Sequence, residues 1–103
     1  MSYIVRIIKR KTLKDFYNQP DYWDAKGSLE AWYHEARHAR WETPADIKSR
    51  YASASVLKNS RVVFNIGGNK YRLVVKIDYA AGIVFIRFIG THAEYDRIDA
   101  EEV

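Results

Sequence analysis

Two rhythms of apolar residues divide the chain. Up to about residue 50 apolar positions recur every three or four residues, and from Arg61 onward they recur every second residue. The first spacing is that of helices with one buried face, the second that of half-buried strands. An exception opens the chain: Tyr3 to Ile8 is rich in β-branched residues and reads as a first strand. Leu13, Phe16 and Tyr17 then fall at helical spacing, and Pro20 stops that helix. Gly27-Ser28 opens a second helix with Ser28 as its N-cap, and Leu29, Trp32, Tyr33 and Ala36 form its apolar stripe. Thr43-Pro44-Ala45-Asp46 starts a third: Thr43 caps, Pro44 suits the first helical position, and Asp46 favours the positive end of the helix dipole.

Three strands follow, Arg61–Ile66, Lys70–Asp78 and Ile83–Ile89, with Gly67-Gly68 as a tight hairpin turn and Ala80-Ala81-Gly82 as a looser one. The order strand, three helices, meander predicts an α+β domain, with helices packed on one face of a mostly antiparallel sheet. A two-residue loop at Gly67-Gly68 sets Val63 opposite Arg72. A turn centred on Ala80-Ala81 sets Val74 opposite Arg87 and Arg72 opposite Ile89. In that register Val62, Phe64, Tyr71, Leu73, Val75, Ile77, Val84, Ile86 and Phe88 line the face the helices cover. Asn65, Lys70, Arg72, Lys76 and Arg87 line an open face.

A chain of 103 residues fits one domain, and 48% hydrophobic content is enough for a core. The absence of cysteine excludes a disulfide framework and thiolate metal sites and fits a reducing compartment. No apolar run approaches the roughly 20 residues that span a bilayer, so a cytoplasmic protein with no membrane partner is expected. Residues 1–93 carry 16 bases against 8 acids, which favours a polyanionic partner. A short acidic tail, about residues 97–103, reverses that sign; it either folds over the basic face or serves solubility.

Arg72 and Arg87 sit inside otherwise apolar strands on the expected open face. Two guanidinium groups there can grip phosphate, or they can pair with Asp78 or with the tail. After the last strand, Thr91 and Glu94 form a capping box that begins a short helix, with His92 at its start and Tyr95 one turn on. His92 and Tyr95 are therefore candidates for proton transfer at a strand end. His34, Glu35 and His38 match the H-E-x-x-H pattern of zinc hydrolases letter for letter. The inward stripe of that helix leaves both histidines toward solvent, and no third ligand follows at the usual spacing. The expected metal set is therefore none.

Two longer stretches carry a resemblance. Arg61-Val62-Val63-Phe64-Asn65-Ile66-Gly67-Gly68-Asn69-Lys70-Tyr71-Arg72-Leu73-Val74 resembles a hairpin of the HigB-type toxins. Ile86-Arg87-Phe88-Ile89-Gly90-Thr91-His92-Ala93-Glu94-Tyr95-Asp96 resembles their C-terminal signature. Ala31-Trp32-Tyr33 and Trp41 to Lys48 fit the same pattern. The resemblance implies a RelE/ParE-like fold and a ribosome-associated mRNA interferase. Such a toxin cuts mRNA in the ribosomal A site by attack of a ribose 2′-OH, without metal or cofactor, and a cognate antitoxin silences it. It further implies Arg72 and Arg87 as phosphate stabilisers and His92 and Tyr95 as acid/base and positioning residues. Asn65, Lys70, Lys9, Arg10 and Lys11 become RNA contacts. The alternatives are a non-catalytic gyrase-type inhibitor on the same fold and, behind it, a zinc hydrolase.

Overall fold

The structure, a computed structural model, describes residues 4–103. Strand β1 (Arg6–Ile8) leads into α1 (Arg10–Tyr17). A 3₁₀ turn (Pro20–Ala25) joins α1 to α2 (Lys26–His38), and α3 (Pro44–Arg50) follows. Strands β2 (Ser55–Val56), β3 (Arg61–Ile66), β4 (Tyr71–Asp78) and β5 (Ile83–Thr91) come next, and a single turn of helix, α4 (His92–Tyr95), follows β5. Tyr3, where the expected first strand began, lies outside the described residues. Pro20 does end the first helical segment, but as the first residue of the 3₁₀ turn. Helix α2 begins one residue before Gly27, so Ser28 lies inside its first turn and caps nothing. Thr43 and Asp46 form the capping interaction expected of α3.

The sheet order is β1-β5-β4-β3-β2. The three long strands form the expected antiparallel meander, and β1 adds to β5 in parallel. An α+β domain with helices on one face of a mostly antiparallel sheet is what the periodicity predicted. Helices α1 to α3 cover one face, where Leu29, Trp32, Ile47, Phe64, Leu73 and Val75 are almost fully buried in one cluster. No helix among the described residues is long and apolar enough to cross a membrane.

Register differs from expectation in two places. Ile66 pairs with Tyr71, so the first loop has four residues, Gly67 to Lys70, with Gly67 and Gly68 both at positive φ. Asn65, and not Val63, therefore lies opposite Arg72. The slip is two residues, so every side chain keeps its face. The second hairpin starts in the expected register, with Asp78 opposite Ile83 and Val75 opposite Ile86, then loses it at a bulge. Beyond the bulge Val74 lies opposite Phe88 and Arg72 opposite Gly90, which leaves Arg87 as the extra residue.

The bulge moves Phe88 off the helix-covered face. It packs on the other face with Tyr95, Ile98 and Val103, against Val63, Val74 and Ala100. That face is not open as expected. The tail folds across it through apolar side chains, and Val74 is 0% exposed.

Candidate functional site

The chemistry gathers where β5 ends beside the start of β4. Thr91 lies opposite Tyr71, Gly90 lies opposite Arg72, and the His92 N–H donates to the Lys70 carbonyl at 3.3 Å. The capping box then sets the course of α4. The Thr91 hydroxyl accepts from the Glu94 N–H at 3.1 Å, and the Glu94 carboxylate accepts from the Thr91 N–H at 2.8 Å. These bonds place His92 on the surface and turn Tyr95 inward, half-buried against Val63 and Val74.

His92 has a partner the motif reading did not use. Its Nδ1 lies 3.2 Å from Asp96 Oδ2, one helical turn on. A carboxylate on Nδ1 orients the ring and leaves Nε2 to exchange a proton with a substrate. The signal was present in the sequence, since residues four apart in a helix are neighbours.

Arg72 is 9% exposed and tied to the β3–β4 turn. Its Nη1 donates to the carbonyls of Asn69 at 3.1 Å and Tyr71 at 3.3 Å, and its Nη2 donates to Asn69 Oδ1 at 3.0 Å. Neutral acceptors fix its direction without cancelling its charge, and it forms no ion pair with a carboxylate among the described residues. Arg87 shares the face of Arg72 but not its partners: its Nε donates to the main-chain oxygen of Val103 at 3.1 Å. Arg61, which the motif reading passed over, donates to that same oxygen. Of the two expected partners, Asp78 and the tail, it is the tail that takes Arg87, through the main-chain oxygen of Val103.

Lys70 pairs with Asp24 of the 3₁₀ turn, and the Tyr71 hydroxyl donates to the same carboxylate. The two donors hold the Asp24 carboxyl below its ordinary value, while Asp24 pushes Lys70 and Tyr71 upward. Lys70 therefore serves first to anchor the turn that leads to Arg72. Asn65 donates to the Ser53 carbonyl at 3.4 Å.

The basic cluster lies elsewhere. Helix α1 packs on the helix-covered face through Leu13, Phe16 and Tyr17, so Lys9, Arg10 and Lys11 are not gathered with Arg72 and His92. Arg10 pairs with Glu30 at 3.2 Å and stacks on Tyr33, and Lys11 pairs with Asp15 at 2.7 Å.

The H-E-x-x-H residues border a cleft of about 720 Å³ between α2 and α3. His38 Nδ1 lies 2.9 Å from the His34 carbonyl. Glu35 accepts from the Tyr51 hydroxyl at 2.6 Å and pairs with Arg50. Those bonds stitch α2 to α3. Among the described residues no three His, Cys, Asp or Glu side chains are grouped to hold a metal ion. The hydrogen bonds of His34, Glu35 and His38 go to neighbouring helix groups, and none of them forms an orienting pair like His92 and Asp96. The volume of the cleft alone does not make it the reactive site.

The sequence profile of the HigB_toxin family, the RelE-like toxic component of a toxin–antitoxin system, matches residues 25–98. The chain belongs to that family. The matched HigB_toxin span includes all of α2 and everything from there through α4, so it contains the meander, Arg72, Arg87, His92 and Tyr95. The mRNA interferase toxin HigB of Escherichia coli (strain K12) is 30% identical over 98 residues, covering 93% of this chain and 92% of that protein. The mRNA interferase HigB of Shigella flexneri matches to the same extent. The mRNA interferase HigB of Escherichia coli O6:H1 is 26% identical over 73 residues, covering 69% of this chain and 71% of that protein.

Proposed function

We propose that this HigB-family toxin is an mRNA interferase, an endoribonuclease that cuts mRNA in the ribosomal A site of the cytoplasm and is silenced by a cognate antitoxin. The observation that carries the reading is the His92–Asp96 pair at the end of β5, on the strand end that also bears Gly90 opposite the uncompensated charge of Arg72. The relatives' names supply the substrate, and the basic body of the chain suits a polyanion.

The chemistry is transesterification within the RNA. His92 Nε2 takes the proton of a ribose 2′-OH, and the oxygen attacks the adjacent phosphorus. The bond to the 5′ oxygen breaks, and that oxygen leaves with a proton. The products are a 2′,3′-cyclic phosphate and a 5′-hydroxyl. Arg72 stabilises charge on the phosphorane, and Tyr95 positions the phosphate or supplies the departing proton. Arg87 adds positive charge on the same face. Asn65 and Lys70 border the substrate path. Lys9, Arg10 and Lys11 contribute diffuse backbone attraction from α1. No step calls on a metal or cofactor.

Induced expression tests the reading. Wild type arrests growth and leaves discrete cuts in a reporter mRNA, whereas folded His92→Ala and Arg72→Ala variants do neither. Growth arrest with intact mRNA instead supports a gyrase-type inhibitor on this fold.

A further inference from the structure

Among the described residues, Trp23 is the aromatic side chain that the core leaves out. Trp32 and Trp41 are 2% and 5% exposed, whereas Trp23 is 57% exposed. The local helix explains the difference. At about three residues per turn, Tyr22 and Ala25 of the 3₁₀ turn share one face, and Trp23 falls off it. Tyr22 stacks on Phe16 with ring centres 4.5 Å apart and meets Tyr71 edge-on, and Ala25 is fully buried. A turn anchored before and after the indole therefore holds it out to solvent.

Lone exposed apolar residues are ordinary on protein surfaces. The surroundings set this one apart. Asp24, next in the chain, accepts from Lys70 and from the Tyr71 hydroxyl, which ties the turn to the start of β4. The Lys70 carbonyl accepts the His92 N–H, and Tyr71 lies opposite Thr91. Trp23 thus stands at the end of the sheet that carries His92, within the helix layer. Its ring meets Tyr17 edge-on, with centres 6.4 Å apart. Lys26 Nζ lies 4.7 Å from the ring centre, and that ammonium forms no ion pair among the described residues. An exposed aromatic ring beside a cation suits single-stranded RNA, whose base stacks on the ring while its phosphate meets the charge. A protein partner could also cover an indole. The unpaired ammonium and the place at the His92 end of the sheet favour RNA.

We propose that Trp23 stacks on an RNA base flanking the cut, with Lys26 against the phosphate of that nucleotide. The inference rests on the RNA-cutting reading above. Stacking accepts every base, so the contact fixes the position of the strand and selects no sequence. The Asp24 anchor gains a second effect: it sets the distance between the stacked base and His92.

The test is a double-mutant cycle on programmed ribosomes, read as kcat/KM of cleavage. The protein change is Trp23→Leu. The RNA change is an abasic ribonucleotide placed in turn at each position flanking the cut. Trp23→Leu lowers kcat/KM by about 5- to 150-fold, the worth of one base–aromatic stack. Trp23→Phe, which keeps a smaller ring, falls between. At one flanking position the abasic RNA costs wild type the same factor and costs Trp23→Leu nothing. A loss of folded structure would instead multiply with the abasic effect at every position. That result overturns the proposal. So does a Trp23→Leu protein that cuts as fast as wild type, which leaves the indole to a protein partner. In both cases cleavage by wild type upholds the RNA-cutting reading. Wild-type protein that leaves mRNA uncut overturns that reading and the proposal with it.

Discussion

The ring of Phe88 lies across Gly90: a Cβ added at Gly90 would come within 2.6 Å of Phe88 Cζ and 3.0 Å of the Glu94 carboxylate. Gly90 is opposite Arg72, and Glu94 caps the helix that carries His92. This glycine is thus required by close approach and not by backbone angle. The ring has little room, because Phe88 packs into the cluster around Val74 and Ala100. Gly90→Ala is expected to cost about 1–3 kcal/mol through overpacking. Thermal unfolding checks this, with a fall of about 4–8 °C per kcal/mol for a domain of this size. Cleavage falls with it, because relief of the clash pushes the cap of α4.

Removing the reactive groups separates their roles. His92→Ala is expected to lower the cleavage rate by about 10² to 10⁴, the usual contribution of a positioned acid or base. Arg72→Ala costs about 10² to 10³ by removing charge stabilisation. Asp96→Asn gives a smaller loss than His92→Ala, since it loosens the ring without removing it. Single-turnover cleavage of a reporter mRNA on stalled ribosomes measures all three. Equal rates in wild type and His92→Ala would remove His92 from the reaction.

Acid pH tests the anchor beneath Lys70. Asp24 has its carboxyl held below the ordinary value of 3.8, mainly by hydrogen bonds from Lys70 and Tyr71. A carboxyl lowered on folding stabilises the native state above its unfolded value, and that stability disappears as pH falls through the folded value. Glu30, held below 4.5 by the Tyr17 hydroxyl and Arg10, acts in the same direction. Wild type is expected to exceed Asp24→Asn in urea midpoint at neutral pH. The two should converge as pH falls below 3.8. A gap that persists in strong acid would show that the anchor does not depend on the carboxylate charge.

The H-E-x-x-H residues should behave as structure. Glu35→Ala leaves the half-buried Tyr51 hydroxyl without its acceptor and is expected to cost about 1–3 kcal/mol, toward the lower end. His34→Ala and His38→Ala leave cleavage within about twofold of wild type, the range of ordinary surface changes. Denaturant unfolding and the cleavage assay decide this. Loss of cleavage in His34→Ala, restored by added zinc, would reinstate the hydrolase reading.

Much of this architecture is readable from spacing, and the parts that are not have physical reasons. The helix stripes and the three long strands follow from periodicity, and the α4 cap follows from Thr91 and Glu94. The first hairpin slips by two residues, which conserves faces, so the inward set from Val62 to Ile77 survived a wrong loop length. The bulge at Arg87 is different. Nothing in Ile86-Arg87-Phe88 marks an extra residue, and one residue was enough to send Phe88 to the opposite face. The edge pair Ser55–Val56 is too short to show a period. The tail reads as acidic, yet it docks through Ile98, Ala100 and Val103, because burying apolar surface decides its course and its charges stay wet. Of the candidate site, Arg72, His92 and Tyr95 were legible as residues, and Asp96 was within reach of the four-residue spacing from His92. Asn69 and Arg61 emerge only when the fold supplies their partners.

The end groups of the cut RNA test the central claim most directly. Wild-type protein is incubated with programmed ribosomes carrying mRNA that has either ribose or 2′-deoxyribose 5′ to the cut. The account predicts a 2′,3′-cyclic phosphate and a 5′-hydroxyl with ribose, and no cut with the 2′-deoxy residue. Cleavage of the 2′-deoxy substrate, or a 5′-phosphate end on the product, would contradict it.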